Sequence, residues 1–226
     1  MNCCILGYGK MGKTIERLLL QTGNNVIAVI DNEQDRINKI KEIKQCDIAF
    51  EFSMPETAYN NIIFCFENNI PIICGTTGWT EKLEEIKKLC TNSNQSMIYA
   101  SNFSIGMNIF MQVNKYLSNI MAKFDLYDVS ISETHHIHKK DKPSGTALSL
   151  KNIIAEQMHL TDVNIESFRE GEIIGEHTIR YRSNVDNITL THEAINRDAF
   201  AAGAILAAKW LIGKKGYFEM TDVINS

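Results

Sequence analysis

The sequence predicts an α/β fold: a Rossmann-type domain with a parallel sheet for a dinucleotide, and then an α+β domain with an open mixed sheet. Three observations support this prediction. Apolar strands and helical segments alternate from residue 3 to residue 100. A glycine turn, G-Y-G-K-M-G, stands between the first strand and the first helix at residues 7–12. Beyond residue 102 the alternation ends, and strands separated by Gly and Asn turns follow.

The composition is that of a globular protein. The chain has 226 residues, of which 44% are hydrophobic, and a net charge of −4 without a long block of one sign. No apolar run approaches the roughly 18 residues that a membrane span needs. We therefore expect no nucleic-acid or membrane partner, and a cytoplasmic location. The six cysteines lack the spacing of a metal site and predict buried free thiols.

The glycine turn is the predicted cofactor site. Residues 3–6 form a short apolar strand before it, and an apolar helical periodicity begins after it at Ile15. In a strand–turn–helix unit, these glycines let the backbone approach a pyrophosphate at the helix N-terminus. A second strand, 26–30, ends at Asp31, about twenty residues after the last glycine, where an acid binds the adenosine ribose. The alternative is a glycine turn without a ligand.

The carboxylate of Asp31 also predicts which nicotinamide cofactor is preferred. It accepts both ribose hydroxyls of NAD but repels the 2′-phosphate of NADP. The nearest cation, Arg36, falls in the next predicted helix, 34–44. We therefore expect NADH to be preferred over NADPH.

Further strand–helix units complete the first domain. The predicted strands are 47–52, 71–74 and 97–100, and the predicted helices are 57–68 and 81–90. Ligands in such sheets lie at the carboxyl ends of the strands, where Thr76 and Thr77 stand in a G-T-T-G turn. Their hydroxyls either reach a ligand or only cap the next helix.

The rest of the chain predicts the second domain. Its elements are a helix at 107–124, a strand at 126–132, a helix from Ser144, and strands at 165–168, 172–182 and 187–193. A final Ala-rich helix, 199–211, ends before Gly213. We expect residues 1–102 with 200–226 to form the dinucleotide-binding domain, and residues 103–199 to form the second domain.

The residues best suited to bind a ligand and transfer protons are concentrated at 133–146, in the stretch E-T-H-H-I-H-K-K-D-K-P-S-G-T. Three histidines and three lysines fall within these fourteen residues. Ser144 stands where an apolar helical pattern begins, as a favoured N-cap, which leaves the N–H groups of Gly145 and Thr146 without intrahelical partners. Such a helix end binds a small anion, and the neighbouring lysines and histidines add charge and exchangeable protons. We infer a pocket that holds an anionic small molecule and gives it a proton.

Two other interpretations of this stretch stay open on the residues alone. Three histidines can ligate zinc. However, His135 and His136 are adjacent and would face opposite ways on a strand, and the lysines would repel a cation, so we expect no metal. The second alternative is a solvated, charged loop that only leads into the helix.

With both halves in view, the chain resembles the 4-hydroxy-tetrahydrodipicolinate reductase family, also called dihydrodipicolinate reductases. The family motif E-x-H-H-x-x-K-x-D-x-P-S-G-T-A stands at 133–147. The other matching motifs are the glycine turn, G-T-T-G at 75–78, A-S-N-F-S-I-G-M-N at 100–108, G-E-H-T at 175–178, T-H-E-A at 191–194 and R-x-x-F-A-x-G-A at 197–204. The resemblance implies NAD(P)H-dependent reduction of 4-hydroxy-tetrahydrodipicolinate to tetrahydrodipicolinate, in the diaminopimelate route to lysine. It also implies a small-molecule dicarboxylate substrate and a homotetramer built by the second domain.

The resemblance further implies a role for each matching position. His135 and Lys139 would be the catalytic pair, with Lys139 favoured as the proton donor. The residues implied for the substrate are His136, Ser144, Gly145, Thr146 and Thr77. The residues implied for the cofactor are Gly7, Tyr8, Gly9, Lys10, Met11, Gly12, Asp31, Gly75, Thr76, Thr77, Ala100, Ser101, Asn102 and Phe103.

Two features depart from the family pattern, and two rival functions are compatible with the same architecture. The chain is short between Asp31 and Asp47, and Ile137 stands where some members carry Arg. The rivals are another two-domain NAD-dependent oxidoreductase, such as an amino-acid or aldehyde dehydrogenase, and a non-catalytic nucleotide sensor. An aldehyde dehydrogenase would be expected to place a catalytic cysteine in the second domain, but no cysteine follows Cys90.

Overall fold

A computed structural model describes residues 1–226 as two compact units. The first unit comprises Met1–Ile105 and Asp198–Ser226, and the second comprises Gly106–Arg197. The first contains a six-stranded sheet and the second a four-stranded sheet. The predicted α/β class, with a Rossmann-type parallel sheet and a separate mixed sheet, is confirmed.

The helices and strands follow one another along the whole chain. Up to Tyr99 they are β1 (Asn2–Leu6), α1 (Lys10–Gln21), β2 (Asn25–Ile30), α2 (Glu33–Asn38), α3 (Ile40–Ile43), β3 (Ile48–Glu51), α4 (Pro55–Glu67), β4 (Ile72–Cys74), α5 (Leu83–Asn92) and β5 (Ser96–Tyr99). The rest are α6 (Ile105–Met121), β6 (Asp128–His135), α7 (Gly145–Met158), β7 (Asn164–Arg169), β8 (Glu176–Arg182), β9 (Asn187–Glu193), α8 (Asp198–Leu211), β10 (Gly216–Phe218) and α9 (Met220–Ile224).

The sheet of the first unit runs β10-β5-β4-β3-β1-β2, and all its neighbouring strands are parallel. From β1 the chain adds β2 on one side and β3 on the other, so the topological switch point lies between β1 and β3. Both sheet faces are covered, because Cys3 and Ile5 belong to one apolar cluster while Cys4 and Leu6 belong to another. This explains why β1 is a continuous apolar run rather than an alternating one.

The helix α8 belongs to the first unit and packs there through small residues. A Cβ atom on Gly203 of α8 would lie 1.8 Å from the carbonyl oxygen of Phe103, so only glycine permits this approach. The sequence analysis found α8 but missed β10 and α9. Both are too short to show a periodicity, since β10 has three residues and α9 has five.

The second unit has the strand order β7-β6-β8-β9, with β6 and β7 parallel and the other pairs antiparallel. The helix α7 connects the parallel pair. The core contains Ile131, Leu150 and Tyr181, and the Tyr181 hydroxyl lies 2.9 Å from Oγ of Ser118.

Three predicted elements have different bounds in the structure. The predicted helix 34–44 is two short helices, α2 and α3, that meet at Lys39, and α2 has no buried residue. The predicted strand 172–182 begins only at Glu176. The strand predicted for 126–132 extends to His135, which brings the first part of the histidine stretch into the sheet.

The cysteines and helices also bear on the predicted class of protein. All six cysteines are free; five are buried and Cys46 is partly exposed. No helix in the structure combines the length and the apolarity that crossing a membrane requires.

Candidate active site

A cleft of about 400 Å³ lies at the carboxyl ends of β1, β2 and β3 in the first unit. Four of the predicted cofactor residues line it: Gly7, Tyr8, Gly9 and Asp31. This is the switch point of the sheet, where ligands of open α/β sheets bind. The sequence analysis did not assign Phe52, Ser53, Met54, Thr57 and Asn61 to this cleft, although they line it too. Ser53 and Met54 directly follow the predicted strand 47–52, a signal that could have found them, whereas Thr57 and Asn61 lie on the helix α4.

The glycines of the turn serve different purposes. Gly7 has a φ of +93°, and a Cβ there would lie 2.5 Å from the carbonyl oxygen of Phe52. A Cβ on Gly12 would lie 2.2 Å from the carbonyl oxygen of Gly7, so both glycines are needed for packing. A Cβ on Gly9 would meet nothing within 4 Å. Gly9 is therefore open toward the cleft, as close approach of a ligand to its backbone requires.

The N-terminus of α1 is also free to receive an anion. Its N-cap residue, Gly9, provides no side-chain hydrogen bond, and the first turn contains no acidic residue. The first N–H groups of a helix lack intrahelical partners and carry partial positive charge. The turn and the helix end together fit a pyrophosphate.

Asp31 lies at the end of β2 as predicted. Its Oδ1 accepts a hydrogen bond of 2.8 Å from the backbone N–H of Tyr8, which leaves Oδ2 for a ribose hydroxyl. Arg36 also lines the cleft, but its guanidinium donates to Asn61, lies 3.6 Å from the carboxylate of Glu33 and stacks on an aromatic ring. The arginine is thus already engaged by neutral and acidic partners.

A second, smaller cleft of about 240 Å³ brings together other predicted residues: Met11, Gly75, Thr76 and Thr77. The Thr76 hydroxyl accepts a hydrogen bond of 2.9 Å from the N–H of Ser53, and its side chain is buried. Thr77 is exposed. Neither threonine caps α5, whose N-cap residue is Lys82, so the simple capping alternative is wrong.

The remaining predicted cofactor residues do not line these two clefts. Lys10 is exposed and Gly12 is buried at the start of α1. After β5, Ala100 packs against the core and Ser101 is exposed. The side chain of Asn102 accepts from the N–H of Ser104, and Phe103 is buried with its ring centroid 5.7 Å from that of Phe52. The side chain of Phe103 is therefore a core residue.

The second unit has a buried charged cluster at the end of β6. Glu133 and His135 alternate with partly exposed positions and are only 1% and 7% exposed. Nδ1 of His135 contacts Oε2 of Glu133, and Arg169 donates to Oε1 over 3.0 Å. Burial alone would raise the pKa of Glu133, but the nearby Ser167 hydroxyl, the guanidinium and the imidazole outweigh it and lower the pKa. Glu133 is therefore ionised.

The two neighbouring strands complete this cluster. On β7, Arg169 pairs in register with His135, and on β8, His177 pairs with Glu133. The rings of His135 and His177 are nearly perpendicular, with centroids 5.1 Å apart. Gly175 makes room for this arrangement, because a Cβ there would lie 3.0 Å from Nε2 of His135.

Both buried imidazoles are held in the neutral form. Burial lowers the pKa of His135; the carboxylate of Glu133 opposes this, and the ammonium of Lys139 adds to the lowering. Burial and the neighbouring His135 lower the pKa of His177 to about 4. Lys139 thus acts electrostatically on both rings.

Lys139 lies in the loop after β6 and contacts a carboxylate. Its Nζ is 2.8 Å from Oδ1 of Asp141. Burial alone would raise the pKa of Asp141, but the Lys139 ammonium, the backbone N–H of Asp141 itself and the N–H of Gly145 outweigh it and lower the pKa. The ammonium of Lys139 therefore binds a carboxylate close to the N-terminus of α7.

Ser144 is the N-cap of α7, as predicted. Its Oγ accepts from the N–H of Ala147 over 3.2 Å and lies 3.3 Å from Nε2 of His177, while its own N–H donates to Glu133 over 3.3 Å. Because His177 is neutral, its Nε2 can accept the hydroxyl proton of Ser144. Ser144 is buried, whereas Gly145 is exposed and Thr146 partly exposed. The hydrogen-bonding groups that face outward are therefore those of Gly145 and Thr146.

The remaining predicted substrate residues are His136 and Thr77. His136 is partly exposed, and its buried Nδ1 has no hydrogen-bond partner. Thr77 belongs to the first unit. The structure thus brings His135, Lys139, Ser144, Gly145 and Thr146 together within the second unit.

One arrangement in this cluster could also suit a cation. One potential ligand atom from each of Glu133, His135 and His177 lies within 4.8 Å of the others. However, the guanidinium of Arg169 occupies the carboxylate, and the charge of Lys139 acts on both imidazoles. This positive surrounding opposes a metal ion and favours an anion.

Comparison with known proteins assigns both units. The family model described as Dihydrodipicolinate reductase, N-terminus, matches residues 1–103, and the model described as Dihydrodipicolinate reductase, C-terminus, matches residues 106–224. The chain belongs to the dihydrodipicolinate reductase family. A 4-hydroxy-tetrahydrodipicolinate reductase from Christiangramia forsetii is 37% identical over 100% of this chain and 98% of the relative. One from Methanoregula boonei is 31% identical over 96% of this chain and 94% of the relative.

Solved structures share the fold of this dihydrodipicolinate reductase family member. A dipicolinate-bound dihydrodipicolinate reductase from Paenisporosarcina sp. TG-14 has a TM-score of 0.77 at 24% identity, covering 97% of each chain. A probable dehydrogenase from Thermotoga maritima has a TM-score of 0.57 at 10% identity, covering 100% of this chain and 93% of that one. At these identities the likeness concerns the fold alone.

Family membership decides between the functions that the sequence left open. The chain is an NAD(P)H-dependent oxidoreductase, and its reaction is the reductase step of diaminopimelate and lysine biosynthesis. The other two-domain dehydrogenases and the non-catalytic sensor are thereby set aside as principal functions. The sequence analysis missed Glu133, Arg169 and His177 as site residues. The G-E-H-T motif contains His177, and Glu133 opens the central motif, so both had a signal.

Proposed function

We propose that the second unit binds one carboxylate of the dicarboxylate substrate at the N-terminus of α7 and that Lys139 protonates the reduced ring. The single observation that carries this proposal is the carboxylate of Asp141, which the ammonium of Lys139 contacts at 2.8 Å beside the N-terminus of α7. The residues expected for substrate binding thus already bind a carboxylate of their own chain. A substrate carboxylate has the same charge and the same acceptor geometry.

The chemistry of the reaction fits this division of roles. A reduced nicotinamide, when bound, supplies the hydride. Addition of a hydride leaves electron density on the substrate that an acid must quench. The flexible ammonium of Lys139 can both attract the dianion and give it a proton. His135 is neutral and buried, so in this proposal it stabilises the site beside Lys139 rather than serving as the first acid.

The proposal assigns the other predicted residues as follows. The N–H groups of Gly145, which is exposed, and Thr146, which is partly exposed, hold the substrate carboxylate, and the partly exposed His136 contacts the substrate. Ser144 contributes as the N-cap that aims these amides, because its hydroxyl is engaged by Ala147 and His177. Thr77 and residues 100–103 remain proposed contacts on the basis of the family resemblance alone.

We propose NADH as the preferred cofactor. The support is the free oxygen of Asp31, which suits a ribose diol, and the engagement of Arg36 by Glu33 and Asn61, which leaves it less able to bind a 2′-phosphate. A kcat/KM with NADPH equal to or above that with NADH would contradict this assignment.

One assay tests the reaction and the role of Lys139 together. The substrate is generated in situ from pyruvate and aspartate semialdehyde with the preceding synthase, and NADH absorbance is followed. The variant Lys139→Ala is expected to lower kcat by about two to four orders of magnitude, the range for a positioned acid. Lys140→Ala is the matched control, because Lys140 is the adjacent, exposed lysine. A near wild-type kcat in Lys139→Ala would remove Lys139 from the mechanism.

The proposal includes a homotetramer, which the family resemblance implies, and a location in the cytoplasm, which the composition of the sequence predicts. Light scattering coupled to size-exclusion chromatography measures the subunit count. A monomer at micromolar concentration would contradict this part of the proposal without affecting the assigned chemistry.

A further inference from the structure

We propose that Glu133 and Arg169 form a positioning pair that holds Lys139, His135 and the N-terminus of α7 in one fixed arrangement. The inference rests on the proposed function, because it concerns how the proton donor and the carboxylate site are aligned. Neither residue is proposed to touch the substrate. Their role is to act through the groups that do.

Glu133 connects the histidine to the helix end. Its Oε1 accepts from the N–H of Ser144 over 3.3 Å and from Arg169 over 3.0 Å, and its Oε2 contacts Nδ1 of His135. The carboxylate therefore fixes the imidazole and the first residue before α7 relative to each other. The guanidinium of Arg169 beside Oε1 compensates the buried charge of this carboxylate.

Arg169 connects this carboxylate to the lysine loop. Its Nε donates to the carbonyl oxygen of Lys139 over 3.4 Å, and its Nη2 donates to the carbonyl oxygen of Asp141. The same guanidinium donates to Glu133 through Nη1. The planar, five-donor geometry of arginine makes these three directions possible at once, and lysine cannot reproduce them. The loop that carries Lys139 is thereby tied to the strand that carries Glu133.

Burial distinguishes a positioning role from a direct one. The side chain of Glu133 is 0% exposed and that of Arg169 is 14% exposed, whereas that of Lys139 is 23% exposed and Gly145 is an exposed residue. The pair therefore lies behind the groups that face outward. A displacement of about 1 Å in a reacting group can cost on the order of a hundredfold in rate, so such support has catalytic consequences.

The first test is Arg169→Lys, which keeps the charge next to Glu133 but loses the bonds to the loop carbonyls. We expect kcat to fall about 10- to 100-fold, the usual effect of losing a group that orients a functional one. The KM for the substrate should change less than about threefold, because the bond from Ser144 to Glu133 is retained. Because a partly unfolded variant would also lower the apparent kcat at an unchanged KM, kcat is calculated per folded enzyme, counted by NADH binding.

The second test is Glu133→Gln, read out by the titration of His135. The charged groups facing this imidazole are Glu133, Lys139 and Arg169, and the neutral ring of His177 packs beside it. Removing the carboxylate charge removes the one group that raises the pKa of His135. Nitrogen-15 NMR of the imidazole should therefore show a lower pKa than in the wild type, together with a fall in kcat of about 10- to 100-fold.

Controls make each outcome decisive. Lys151→Met breaks the ion pair with Asp162 in the same unit, away from this cluster, and should leave kcat and KM unchanged. NADH binding and thermal unfolding report whether each variant is folded. If Glu133→Gln fails to fold, the conservative Arg169→Lys still decides, since a folded variant with kcat within about threefold of the wild type would overturn the inference. If the wild type did not reduce the substrate, the proposed function would be refuted. The pKa of His135 in Glu133→Gln, measured by NMR, would then still test the positioning pair.

Discussion

The glycine turn allows packing and ligand binding to be separated by two single-methyl substitutions. In Gly12→Ala the new Cβ would lie 2.2 Å from the carbonyl oxygen of Gly7, whereas real contacts begin near 3.0 Å, so α1 and the turn must separate by about 0.8 Å. Backbone overpacking of this kind costs about 3 kcal/mol, and the better helix propensity of alanine returns about 1 kcal/mol. We expect a net loss of about 2 kcal/mol, on the order of 5 °C in Tm.

The substitution Gly9→Ala should behave in the opposite way. Gly9 has φ −75° and ψ −158°, which alanine tolerates, and its Cβ would meet nothing within 4 Å. The reduced chain entropy of the unfolded state and the poorer N-cap nearly cancel, so stability should change by less than about 1 kcal/mol. The Cβ would, however, enter the space of the pyrophosphate. Losing one charge-assisted hydrogen bond worth about 1.5–3 kcal/mol weakens NADH binding roughly 10- to 100-fold.

Calorimetric titration with NADH and urea unfolding of both variants check this pair of expectations. Gly12→Ala should lose both stability and cofactor affinity, because the turn itself moves. If Gly9→Ala bound NADH with the wild-type Kd, the pyrophosphate would not approach this backbone, and the cofactor site would have to be reassigned. A Gly12→Ala protein as stable as the wild type would show that the close contact with Gly7 is easily relieved.

Three further substitutions test other parts of the structure. Asp31→Ser removes the ribose acceptor and should lower kcat/KM for NADH at least about tenfold while raising the NADPH/NADH ratio; an unchanged ratio in steady-state assays would contradict the role of Asp31. The fold lowers the pKa of His177 from 6.5 to about 4. As the pH falls through this window, His177 takes up a proton in the unfolded state before it does so in the folded state, so the free energy of unfolding decreases. Between pH 7 and pH 5, the titration of His177 should lower the free energy of unfolding of the wild type, measured in urea, by about 2 kcal/mol. The variant His177→Gln should lose about 2 kcal/mol less over the same pH range, and an identical pH dependence in the two proteins would refute the prediction. Tyr181→Phe removes the contact with Ser118 and should cost about 1 kcal/mol by denaturant unfolding, with no effect on kcat; no measurable cost would mean that the hydroxyl pair contributes nothing.

Much of the cofactor side could be predicted because its signals are local. A strand, a glycine turn and a helix follow one another within about twenty residues, and the acid at the end of β2 comes at a fixed distance. Phe103 shows the limit of this reasoning. Its motif implies contact with the cofactor, which stays a prediction, but its backbone carbonyl also packs closely against Gly203, a hundred residues later in the chain. Nothing in the neighbouring sequence indicates such a contact.

On the substrate side too, local features could be predicted from the sequence, whereas contacts between distant segments could not. The N-cap at Ser144 follows from local periodicity and is seen in the structure, where His135 is the last residue of β6 and His136 lies just beyond it. The partners of Glu133 do not follow, because Arg169 and His177 come from strands on either side of β6. Strand register over such separations is decided by tertiary packing, so sequence patterns alone cannot supply it.

The insertion of residues 106–197 within the first unit has a consequence for synthesis on the ribosome. The edge strand β10 pairs with β5 across more than a hundred residues, and α8 fills one face of the same sheet. The nucleotide-binding half therefore cannot cover its apolar sheet until residues 198–226 have been translated, whereas the inserted half is contiguous and can fold earlier. The usual amino-terminus-first order of domain folding is thereby reversed, and the early strands stay exposed for longer during synthesis.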